Sequence, residues 1–111
     1  MGEATGADLI AAERRRQIEV EGWTAEHDAQ HLNGELAMAA QAYIDTMRKA
    51  VAAASGRLDG ELWKLAPPLA WPWDWEWWKP SDDPVRNLVK AGALIAAEID
   101  RIVATREKTH A

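Results

Sequence analysis

The chain has no cysteine and no phenylalanine. Without thiols there is no disulfide framework, thiolate metal site or cysteine nucleophile, which fits a reducing cytosol. It also lacks a basic excess. Eighteen Asp and Glu against 13 Lys and Arg leave a net charge of −5, and non-specific binding to nucleic acid needs a basic surface to displace counterions from phosphates. No run approaches the ~18 apolar residues of a membrane span, and no basic start followed by an apolar stretch marks an export signal. These absences lead to the expectation of a cytoplasmic protein with neither membrane nor non-specific nucleic-acid partners.

What is present suits a small globular protein. Apolar residues make up 48% of 111 residues and charged residues 28%, too apolar for a disordered chain and the right length for one domain. No internal repeat is visible. The expected unit is a single domain over 1–111, fraying at 1–6 and 106–111.

Periodicity predicts helices. The first spans about Ala7 to Glu21, with Asp8 favouring its start and Gly22 suited to a left-handed stop. Its pattern is unusual: around Ile10 on a helical wheel, Glu13, Gln17 and Glu21 lie near the middle of the face flanked by Leu9, Val20 and Ile18. That face meets either solvent or a polar cavity. Residues 23–31 read as a turn or single helical turn capped by Thr24, interrupted by Asn33-Gly34. A long helix follows over Glu35 to Ala54, with Leu36, Ala40, Tyr43, Met47, Ala50, Val51 and Ala54 as its stripe.

Residues 55–84 carry Gly56, Gly60, Pro67, Pro68, Pro72, Pro80 and Pro84, which no long helix survives, together with six of the seven tryptophans. The last helix opens at Asp83-Pro84, a capping carboxylate before proline at the first helical position, and is expected to reach about Thr105. Its expected core stripe is Leu88, Gly92, Ile95, Ile99 and Ile102, with Gly92 marking a close crossing. The predicted fold is all-α: a small bundle of three main helices with a Trp/Pro-rich crossover loop.

Two constellations could carry chemistry. The first is a set of acids and imidazoles, Glu13, Asp28, His31, Glu35 and Glu98, which could hold Mg²⁺ because hard cations take oxygen ligands from several helices of a bundle. His27 and His31, four apart, could instead serve a transition metal with an acid as third ligand. The plainer reading pairs these acids with Arg14, Arg15, Arg16 and Arg86 in salt bridges, with His27 and Asp28 capping a turn.

The second is the run from Trp71 to Pro80, five tryptophans in ten residues. Indoles give flat platforms for stacking a base, worth about 1–3 kcal/mol each, and Lys79 and the run Arg14-Arg15-Arg16 could meet phosphates. The plainer reading makes Trp71, Trp73 and Trp78 the core of the loop. All five cannot be buried in so small a domain, and crowded exposed indoles mark a ligand site or an interface, most simply with a second copy. The candidate ligand-binding set is Arg14, Gln17, Trp23, His27, Trp75, Trp77 and Lys79. No phosphate-cradling glycine loop, nucleophile elbow or His-Glu-x-x-His helix is present.

Glu13-Arg14-Arg15-Arg16-Gln17, Glu21-Gly22-Trp23-Thr24, Glu26-His27-Asp28 with His31, Gly34-Glu35-Leu36-Ala37, Trp71-Pro72-Trp73, Trp77-Trp78-Lys79-Pro80 and Leu88 through Ile95 form a set that resembles a group of small helical phage and prophage proteins. The resemblance spans about Glu13 to Ile102 and implies a phage origin. The front half is also similar to the MazG-type nucleoside triphosphate pyrophosphohydrolases, which cut between the α and β phosphates with Mg²⁺ held by helix-borne acids. That class carries Glu-Glu-x-x-Glu facing Glu-x-x-Asp. Here only Glu35 stands in place, position 38 is methionine, Asn87 replaces a possible acid, and Glu98 is followed by Asp100.

Three functions are thus in play. One is a phage-encoded binder of a nucleotide or nucleotide-derived molecule, sequestering a signalling nucleotide of host defence without a catalytic metal. Another is a divergent Mg²⁺-dependent (d)NTP pyrophosphohydrolase using Glu13, Glu35 and Glu98. The third is an inhibitor that binds a host protein through exposed tryptophans. A homodimer or higher homo-oligomer is expected.

Overall fold

The structure is a computed structural model describing residues 2–58 and 62–110. It is all-helical, with no strand among those residues, and three main helices pack into a small bundle. No described helix is long and apolar enough to cross a membrane.

Helix α1 spans Gly6–Glu19. Thr5 caps it by accepting from the Asp8 N–H while the Asp8 carboxylate accepts from the Thr5 N–H, so two otherwise orphaned donors are satisfied. Its end is set by Gly22, whose φ of 77° lies in the left-handed region, and the Trp23 N–H then donates back to the Gln17 carbonyl at 2.9 Å. This turn throws Trp23 back over the helix. The single turn α2, Ala25–Asp28, follows with Thr24 as its cap. Gly34, at φ 80°, leads into α3, Glu35–Ala54.

The crossover contains two short 3₁₀ turns, Leu62–Lys64 and Trp75–Trp77. Helix α4 spans Pro84–His110, running past the expected end near Thr105. At its start the Asp83 carboxylate accepts from the Val85 N–H, and buried Asn87 clamps the incoming chain, accepting from the Ser81 N–H and donating to the Ser81 carbonyl, both at 2.8 Å. The position where an acid might have stood therefore holds the loop in place.

Helix α4 is the central element, packing against α3, α1 and α2. The core joins Leu36, Ala39, Ala40, Ala42 and Tyr43 of α3 to Ala91, Leu94 and Ala97 of α4, closed by Trp71 and Trp78. Small residues let the helices approach, and the indoles fill what a phenylalanine-free chain leaves open. The expected α4 stripe needs correction: Leu88, Ile95 and Ile99 are exposed, and the buried residues are Asn87, Val89, Ala91, Ala93, Leu94 and Ala97. Both arcs of the helix are apolar, so periodicity drew the one with the larger side chains. On α3 likewise Val51 is exposed, while Thr46 and Ala42 are buried. Gly92 does mark a close crossing, since a Cβ there would come within 2.5 Å of Ile10 Cδ1.

Candidate functional site

The polar face of α1 is turned inward. Glu13 and Gln17 are its only buried residues, while Leu9 and Ile18 are exposed. Of the two environments open to this face, the structure takes the cavity. The Glu13 carboxylate accepts from Arg16 at 2.8 and 2.9 Å, from Arg86 of α4 at 2.6 Å and from the Gln17 side-chain amide at 3.3 Å. Burial pushes its carboxyl up, but the two guanidiniums pull harder and leave it below the ordinary carboxylate range. Arg16 also reaches Glu21 at 2.9 Å.

These groups floor a cavity of about 40 Å³ lined by Glu13, Arg16, Gln17, Tyr43, Lys79 and Lys90 among others. Lys90 Nζ donates to the Lys79 carbonyl at 2.6 Å and lies 5.4 Å from the centre of the Tyr43 ring. Burial and then the positive charge of Arg86 push its ammonium below the usual lysine value. Burial likewise drives the Tyr43 phenol up to about 12, partly offset by a hydrogen bond with the Lys79 backbone. Two buried polar atoms have no partner among the described residues here: Gln17 Oε1, in a residue only 2% exposed that lines the cavity, and Trp78 Nε1.

Above the floor, sharing Glu21, Trp23 and Trp77 with it, opens a cleft of about 550 Å³ walled by Trp23, Trp71, Trp73, Trp77, His27 and His31. The rings are ordered against one another. Trp23 and His27 lie nearly parallel, 3° apart at 6.2 Å, His31 meets Trp73 at 5.2 Å, and Trp73 stands edge-on to Trp71 at 5.2 Å. Trp71 is fixed in turn by its indole N–H, which donates to the Asp74 carbonyl at 3.1 Å. The Lys79 ammonium lies 6.0 Å from the centre of the Trp77 ring. A flat, largely apolar chamber thus opens onto a cationic floor, in which Arg16, Lys79, Lys90 and the adjacent Arg86 outnumber Glu13 and Glu21.

Of the expected ligand-binding set, Gln17, Trp23, His27, Trp77 and Lys79 line this joint space. Two members do not. Arg14 turns away from this space, donating to Asp28 at 2.9 Å and to the Trp23 carbonyl at 3.3 Å, and lines a separate groove with Asp100 and Arg101. Trp75 is 66% exposed and lines neither cavity. Tyr43, Trp73 and Lys90 belong to the site although the sequence reading did not place them there.

The five candidate metal ligands are not gathered. Glu13 is held by Arg16 and Arg86, Asp28 by Arg14 with His27 at 3.2 Å, Glu35 by His31 at 3.4 Å and the Asn33 N–H, and Glu98 by Arg101. Among the described residues no three His, Cys, Asp or Glu side chains approach closely enough to hold a metal ion. The plainer reading holds in part: Glu13 pairs with Arg16 and Arg86 and Asp28 with Arg14, whereas Glu98 pairs with Arg101 and Glu35 with His31. Comparison with protein-family models, with curated proteins and with solved structures finds no match to this chain.

Proposed function

We propose that the chain is a nucleotide-binding protein that holds a base against the indoles of the cleft and its phosphates over the cationic floor. The observation that carries this reading is the continuity of the tryptophan-walled cleft with a cavity lined by three cations, Arg16, Lys79 and Lys90, against two carboxylates, in a chain that is acidic overall. Stacking supplies affinity that tolerates the identity of the base, and Arg16 and Lys90 supply charge-assisted hydrogen bonds to an anion. Gln17 Oε1, the unpartnered acceptor, suits an N–H or O–H of the ligand. Sequestration rather than turnover is the reading supported, since Glu13, Asp28 and Glu98 are each engaged by arginine. The sequence resemblance adds a setting, a phage product that withdraws a signalling nucleotide from host defence.

The test is incubation with a panel of deoxynucleoside triphosphates and cyclic dinucleotides, with and without Mg²⁺, followed by chromatography of the ultrafiltrate and of the denatured protein. One nucleotide should be depleted and recovered intact on denaturation in both conditions. A monophosphate appearing only with Mg²⁺ would establish the pyrophosphohydrolase instead, and no depletion would remove the nucleotide reading.

A further inference from the structure

The cleft and its floor differ in what they offer a ligand. Apart from the indoles, the polar side chains lining the cleft are Glu21, Asp74, His27 and His31, with no lysine, arginine, serine, threonine, asparagine or glutamine among them. Each histidine has already committed one nitrogen. His27 Nδ1 lies 3.2 Å from Asp28 Oδ1, and His31 Nδ1 lies 3.4 Å from Glu35 Oε2. A carboxylate only accepts, so the proton of each neutral ring sits on Nδ1 and Nε2 is left as an acceptor. An ionised phosphate is itself only an acceptor. It is matched by Arg16, Lys79 and Lys90 of the floor and not by the cleft, which leaves the cleft to the base.

Asp74 is the acceptor left unspent. Glu21 is paired with Arg16, whereas Asp74 is exposed at the cleft wall. It stands just before the 3₁₀ turn Trp75–Trp77, where an aspartate usually accepts from the first N–H groups, yet its side chain makes no such bond. Its main-chain carbonyl meanwhile holds the Trp71 indole, so the backbone that carries the carboxylate is tied to the core. Trp73 and Trp77, one residue before it and three after, line the same cleft. Stacking rings beside a hydrogen-bonding group are the means by which proteins read the edge of an unpaired base.

The two oxygens of a carboxylate accept together from two neighbouring N–H groups. Among the common bases guanine has such an edge, with N1–H beside the N2 amino group. Adenine and cytosine set an amino group beside a bare ring nitrogen, and uracil and thymine set one N–H between two carbonyls, so in each the second carboxylate oxygen meets a lone pair. We infer that the base this cleft selects is guanine, held by the Asp74 carboxylate at its N1–H and N2–H groups with a tryptophan ring against its face. His27 and His31, as further acceptors, favour the same donor-rich edge. The inference rests on the nucleotide reading above and adds to it the identity of the base.

Calorimetric titration of the full chain tests it, with the 5′-triphosphates of guanosine, inosine, adenosine, cytidine and uridine and with the cyclic dinucleotides of guanosine and of adenosine. In whichever class binds, the guanosine ligand should lead by about tenfold. Inosine, which keeps N1–H and lacks the amino group, should fall behind with the rest. Asp74→Asn puts one acceptor and one donor in place of two acceptors. It should lower affinity for the guanosine ligand about tenfold and leave helical circular dichroism unchanged. Equal binding across the bases, a lead for another base, or a guanosine lead that survives Asp74→Asn would overturn the choice of guanine while the nucleotide reading stands. Failure of every ligand to bind would overturn both.

Discussion

Trp78 and Trp77 are adjacent in sequence and differ in almost everything else. Trp78 is 6% exposed and wedged against Tyr43 at 4.8 Å and Trp71 at 5.0 Å, whereas Trp77 is 54% exposed and lines both the cleft and its floor. The 3₁₀ turn Trp75–Trp77 separates them, because it ends where the chain returns to extended backbone at Trp78 and drives that indole into the core. The difference teaches that one aromatic run serves two purposes. Trp71 and Trp78 make the wall rigid, and Trp23, Trp73 and Trp77 present ring faces to whatever enters.

Substitutions sharpen this division. Trp78→Ala should cost about 3–5 kcal/mol of stability through the cavity it leaves, read as a drop in the midpoint of denaturant unfolding. Trp77→Ala should change stability by no more than about 0.5 kcal/mol, as exposed positions do, while lowering nucleotide affinity about tenfold. If Trp77→Ala unfolds the protein as Trp78→Ala does, the division fails.

Glu13→Gln comes next. It strips Arg16 and Arg86 of their shared partner, and because those guanidiniums keep 38% and 37% of their side-chain surface in water, the expected loss is about 1–3 kcal/mol rather than that of a fully buried charge. The pH dependence has a definite sign. A carboxyl held below its unfolded value adds stability that is fully present above the unfolded pKa, near 4.5, and is lost as pH falls through the lower folded value. Acid unfolding curves of wild type and Glu13→Gln should therefore converge as pH drops.

Lys90→Met should separate stability from binding. Burial disfavours the ammonium, so an apolar side chain of similar length should hold or raise stability by up to about 1 kcal/mol, while binding of a phosphate-bearing ligand weakens about tenfold. For the wild type, ligand affinity should fall with rising pH below the usual lysine value of 10.5. Gly92→Ala should cost a net ~1 kcal/mol: the added Cβ would meet Ile10 Cδ1 at 2.5 Å and Cγ1 at 2.8 Å, a β-branched side chain with little freedom to turn, and helix propensity offsets only part of that overpacking.

The helices were legible because their punctuation is local: Thr24, Gly22, Gly34, and Asp83 before Pro84 each act within a turn. That Glu13 and Gln17 interrupt an apolar face of α1 was also visible, but whether that face meets solvent or a cavity was decided only by the packing. The packed side of α4 was not legible, because periodicity counts apolar residues and cannot tell a core built on Ala91, Leu94 and Ala97 from an exposed arc holding Leu88, Ile95 and Ile99. In the site, Gln17, Trp23, His27, Trp77 and Lys79 could be named from sequence, whereas Tyr43 and Lys90 become neighbours only when α3 and α4 pack. Arg14 lies only about 60° round α1 from Gln17, but its guanidinium is drawn away from the cavity to Asp28 of α2, a contact only the packing reveals.

The most direct test of the binding reading is a calorimetric titration, at low and physiological salt, of whichever nucleotide the chain depletes, into wild type and Trp77→Ala in parallel. Binding to the wild type that weakens with salt and falls about tenfold without the Trp77 indole is the predicted result. Equal affinity for the two proteins, or binding indifferent to salt, would place the ligand outside the tryptophan cleft and its cationic floor.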